Sequence, residues 1–86
     1  MEKKVVLKVN GQAIHFNVTA EAQERLINET MPNNRVNPMH NFLMRTVEED
    51  SKAILKPLLA VPSTVVILAE KVTSEFVPQL EITVGE

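Results

Sequence analysis

The chain has no cysteine, tryptophan or tyrosine and only two glycines. Without cysteine there is no disulfide, no thiolate metal site and no thiol nucleophile. Three phenylalanines are the only aromatics, so the core must be aliphatic, and there is no row of rings on which bases could stack. Nine Lys and Arg against eleven Asp and Glu give a formal net charge of −2, and the basic residues are scattered. Nucleic acid is therefore not an expected partner, because phosphate binding needs concentrated positive charge. No stretch approaches the roughly 20 apolar residues of a membrane span, and the apolar run in the opening MEKKVVLKVNG is too short for a signal peptide. The expectation is cytoplasmic synthesis with no membrane association.

What is present is an ordinary globular composition, 44% apolar and 23% charged over 86 residues. That length suits one domain, residues 1–86, with a single modest core. An aliphatic core of this size implies moderate stability, so support from a partner or a second copy of the chain is a natural expectation.

Residues 4–9 alternate, with Val5, Leu7 and Val9 on one face and Val6 and Lys8 on the other, as a strand does. Asn10-Gly11 suits a type I′ turn, whose two central residues need positive φ. Residues 12–18 alternate again, Ile14, Phe16 and Val18 against Ala13, His15 and Asn17, and complete a hairpin with one buried and one wet face. Thr19 can cap a first helix starting at Ala20, with Ala22, Leu26, Ile27 and then Thr30 or Met31 as its apolar stripe. Pro32 stops it. Asn37 and Pro38 signal the next helix, with Asn37 as its cap and Met39, Phe42, Leu43, Thr46 and Val47 on its apolar face.

After the polar break Glu48-Glu49-Asp50-Ser51, with Asp50 or Ser51 as cap, a third helix carries Ile54, Leu55, Leu58 and Leu59. Pro57 conflicts with regular helical geometry there and predicts a kink or a break. A fourth helix opens at Pro62 and carries Val65, Leu68, Ala69, Val72 and Phe76; Val66 and Ile67 add a second apolar flank, unusual for a surface helix. Residues 79–84 alternate once more, with Leu80, Ile82 and Val84 on one side, and predict a third strand beside the first. The expected fold is α+β, in the order β-β-α-α-α-α-β: a small, mostly antiparallel three-stranded sheet with three to four helices on one face.

No catalytic constellation stands out. His15 and His40 have no neighbouring ligand at metal spacing, Glu48-Glu49-Asp50 reads as a solvated cap cluster, and Ser51 and Ser63 lack a positioned base. No enzyme, metal or cofactor is expected. Two stretches are candidates for touching another protein. One is the loop Asn33, Asn34, Arg35 and Val36, which combines directional donors with an apolar residue on a loop. The other is the Val66/Ile67 flank of the last helix, which would face a partner or a second copy.

MEKKVVLKVNG at the start, MPNNRVNPMHNFLMRTV in the middle and LEITVG near the end together resemble a family of small phage tail assembly chaperones, found in tailed phages and prophages. The resemblance runs the length of the chain and is most specific over residues 31–47. It implies a non-enzymatic role: binding the tape-measure protein, or the tail-tube protein, during tail morphogenesis in the host cytoplasm, and absence from the finished virion. The alternative is a small structural or adaptor subunit that assembles through protein contacts.

Overall fold

The computed structural model describes residues 2–77 and 82–85. Asn10 and Gly11 both have positive φ, 51° and 81°, as a type I′ turn requires. They join β1 (Glu2–Val9) to β2 (Gln12–Thr19) in antiparallel register, with Val5 opposite Phe16, Val6 opposite His15 and Leu7 opposite Ile14. The expected alternation holds. Val5, Ile14, Phe16 and Val18 are buried, while Lys4, Val6, Lys8 and His15 are exposed on the other face.

Four helices follow: α1 (Ala20–Glu29), α2 (Val36–Thr46), α3 (Lys52–Leu58) and α4 (Pro62–Phe76). The first three contact β2 and α4 contacts β1, so all pack against the hairpin. Phe42 and Leu43 of α2, Leu55 of α3 and Val65, Val72 and Phe76 of α4 join Phe16 in one buried cluster. Complete burial of a Leu- or Phe-sized side chain contributes about 1.5–3 kcal/mol, so β2 and the helices facing it carry most of the stability.

Thr19 caps α1 as expected, its hydroxyl accepting the Ala22 N–H at 3.1 Å. Asn37 does not cap α2. The helix starts earlier, at Val36, its first bond running from the Met39 N–H to the Arg35 carbonyl, with no side-chain cap. Pro38 still fits, because no residue of a first turn needs an intrahelical N–H partner. Nor does Ser51 cap α3 through its side chain. Its hydroxyl instead accepts the His15 N–H at 2.9 Å, while the Glu48 N–H bonds the His15 carbonyl at 2.9 Å and Val47 bridges to Phe16. The polar break between helices is thus the segment that closes the outer edge of β2.

A 3-10 turn, Glu49–Ser51, runs into α3, a helix of seven residues with Pro57 in its last turn. The chain leaves it through tight bonds from Leu59 to Lys56 and Ala60 to Pro57. Pro57 removes the bond that residue 57 would make to the Ala53 carbonyl, and the helix ends one residue later, at Leu58.

The three-stranded sheet is overturned. Among the described residues the sheet has two strands, and residues 82–85 carry no secondary structure, with Ile82 82% and Val84 96% exposed. The rest of the expected strand, residues 79–81, lies outside the described residues. Alternation scores a preference for extended backbone with one covered face; tertiary contacts decide whether such a segment pairs, and Ile82 and Val84 have none that bury them. The fold remains α+β.

These assignments separate in urea unfolding. Thr19→Ala should cost about 1 kcal/mol. Asn37→Ala should stay within about 0.5 kcal/mol of wild type, as an exposed non-capping residue does. Ser51→Ala, which leaves the His15 N–H without its partner, should cost about 1–3 kcal/mol.

A candidate protein-binding surface

The loop between α1 and α2 is tied down at both ends. Met31 and Asn34 exchange backbone hydrogen bonds of 3.2 and 3.0 Å around Pro32-Asn33, which turns the chain sharply after α1. Arg35 then reaches Glu70 on α4 at 3.7 Å. Asn33, Asn34 and Arg35 are exposed, as a contact loop requires. Val36 is not on the loop: it opens α2 and packs half-buried against the core. Val66 is likewise half-buried against the core, whereas Ile67 is exposed one turn before Glu70. The ion pair therefore brings the loop and the outer flank of α4, read separately in the sequence, onto one side of the molecule.

A second feature was not anticipated. A cleft of about 440 Å³ lies between α1, α2 and the end of α4, lined by Gln23, Leu26, Ile27 and Thr30, by Met39, and by Thr73 and Val77. None of these residues is charged. Thr30 donates its hydroxyl to the Leu26 carbonyl at 2.6 Å, and Thr73 donates to the Ala69 carbonyl at 2.9 Å, so both donors are satisfied inside their own helices. Ile27 is 66% exposed and Val77 43%, and Met31, one turn beyond Ile27, is exposed as well.

Ile27 had been assigned to the core stripe of α1. The buried line is instead Ala22 and Leu26, four residues apart, continued by half-buried Thr30. Ile27 lies one residue on from Leu26, about 100° round the helix, which turns it off the buried line.

A more polar cleft of about 450 Å³ lies where β2, α1 and the end of α2 meet, with Arg25, Arg45, Glu21 and Glu48 around it. Two of these four charges have local partners: Arg25 pairs with Glu29 at 3.1 Å, and Glu48 with Lys4 at 3.4 Å. Among the described residues no group of three or more His, Asp or Glu is placed to hold a metal ion, and no helix is long and apolar enough to cross a membrane.

The architecture is that of a small α+β protein with an open, uncharged cleft between helices and no grouped catalytic side chains among its described residues. Residues 5–86 match the model of the phage tail assembly chaperone family, and the chain belongs to that family. It is similar to an uncharacterised 11.3 kDa protein of the lys 3′ region in Haemophilus phage HP1, strain HP1c1. The two are 32% identical over 84 residues, which is 98% of this chain and 82% of that relative. No solved structure matches the chain.

Because the Arg35–Glu70 pair is exposed at both ends, Arg35→Ala and Glu70→Ala should each change stability by no more than about 1 kcal/mol. Thermal melts check this. Any larger effect of these variants on association would then report contact with a partner.

Proposed function

We propose that this protein is a non-enzymatic chaperone that binds an amphipathic helix of the tape-measure protein in the host cytoplasm during tail assembly and is absent from the finished particle. The observation that carries the reading is the uncharged cleft with Ile27 and Val77 exposed at its rim and Met31 exposed just past the end of α1, in a member of the tail assembly chaperone family. A partner helix laid into such a groove would cover these side chains with its own apolar stripe.

Magnitudes indicate that the cleft does not act alone. Ile27, Met31 and Val77 are already about half covered, so burying the remainder contributes about 1–1.5 kcal/mol each, while association itself costs at least about 4 kcal/mol and often much more. The polar loop and the flank of α4 provide the additional contacts: Asn33, Asn34 and Arg35 as directional donors, with Val36, Val66 and Ile67 as the apolar residues beside them.

The test is co-expression with a tape-measure segment from the same phage genome. The wild-type chain should keep the segment soluble and co-purify with it. Ile27→Asp combined with Val77→Asp should abolish both effects while leaving the circular dichroism spectrum unchanged. A segment that stays as insoluble with the wild-type chain as without it would overturn the proposal.

A further inference from the structure

The outer edge of β1 is unfinished. In a hairpin closed by a two-residue turn, the residues flanking the turn exchange hydrogen bonds, so Val9, Leu7, Val5 and Lys3 direct their backbone groups at β2, and Lys8, Val6 and Lys4 direct theirs outward. His15 supports this phase from the other strand. It sits opposite Val6, and both of its outward backbone groups are taken, by Ser51 and Glu48. Among the described residues nothing takes those of Lys4, Val6 or Lys8. Val6, in the middle of this edge, is 52% exposed.

The described end of the chain is complementary to that edge. Ile82, Thr83 and Val84 are β-branched residues of high strand preference, and they have no strand partner. Ile82 and Val84 are also the most exposed large apolar side chains of the described residues. In sequence the segment is flanked by Glu81 and Glu86, whereas β1 carries Lys3, Lys4 and Lys8.

Charge selects the occupant. Pairing two β1 edges would oppose lysines with lysines, the usual protection of an exposed edge, while a strand with acidic flanks meets them with opposite charge. Placement agrees with this. Lys3 Nζ donates to the Glu75 carbonyl at 2.6 Å, so α4 ends beside the start of β1, at one end of the open edge. A second copy docked at that end presents its own terminal segment to this edge.

We propose that residues 82–85 of one copy add as a strand to the outer edge of β1 in a second copy, reciprocally, giving a twofold dimer. The full chain is measured by size exclusion with light scattering over micromolar to millimolar concentrations, together with amide hydrogen exchange. The wild type should show twice the 9.6 kDa chain mass, with protection of the Val6 amide and of one neighbouring outward amide, Lys4 or Lys8, because a four-residue strand pairs with two alternate residues of the edge. Ile82→Asp combined with Val84→Asp alters only exposed side chains, so it should halve the mass and release those amides without lowering the melting temperature. A monomeric wild type overturns the proposal, as does a dimer that survives the double substitution. A monomer with these amides protected also overturns it, since the edge would then be covered within one chain.

Discussion

Two paired strands are marginally stable in water, and a hairpin persists when something else takes up its open backbone groups and covers its apolar face. Here residues 47–51 perform the first task on the β2 side. Val47 leaves helical geometry and bridges to Phe16, the Glu48 N–H bonds the His15 carbonyl, and the Ser51 hydroxyl accepts the His15 N–H. These contacts pin the end of α2 and the start of α3 to the same strand. Phe42, Leu43 and Leu55 therefore pack in the same core as Ile14, Phe16 and Val18. The buried Thr46 completes the junction by bonding back to the Phe42 carbonyl at 2.9 Å, so its hydroxyl is satisfied as the helix ends.

The two strands consequently differ in burial. Ile14, Phe16 and Val18 of β2 are fully buried, while on β1 only Val5 is buried and Leu7 and Val9 are half-covered. One strand has its inward side chains fully buried and is closed at both edges near His15. The other has helix α4 beneath it and, among the described residues, no backbone partner along its outer edge. In a sheet of two strands, closing one edge concentrates all remaining strand-pairing capacity on the other.

Much of this was legible in the sequence, because local chemistry sets it. Asn10-Gly11 accepts positive φ at both positions, the alternation around Phe16 matches the strand period, Thr19 supplies a cap, and Pro62 opens a helix. Contacts between distant residues were harder to read. Asn37 has the chemistry of a cap because Asn-Pro is a common start, but α2 begins two residues before Pro38, at Val36, which packs on the core. Ser51 looked like a cap as well, yet His15, distant in sequence, takes its hydroxyl. The terminal alternation correctly reports β-branched, strand-like residues, but it carries no information about which edge, if any, lies within reach. In the candidate surface, the exposed loop at Asn33, Asn34 and Arg35 was legible from its polar residues. The cleft was not, because Leu26 and Ile27 are adjacent and equally apolar, and only packing shows that one is buried and the other exposed.

The last turn of α4 belongs to both surfaces. Thr73 and Val77 line the uncharged cleft, while the Glu75 carbonyl between them accepts from Lys3 at the start of the open edge. The two surfaces nevertheless favour different chemistry: an apolar helical stripe in one case, and extended backbone with acidic flanks in the other. On the two proposals, a client and a second copy would occupy separate sites that meet at one helical turn. Sharing a turn does not by itself couple them; coupling requires that occupancy of one site change the free energy of binding at the other. The Val77 N–H bonds to the Thr73 carbonyl at 2.9 Å, so one hydrogen bond joins two of the residues that line the cleft, in the same turn whose Glu75 carbonyl meets Lys3.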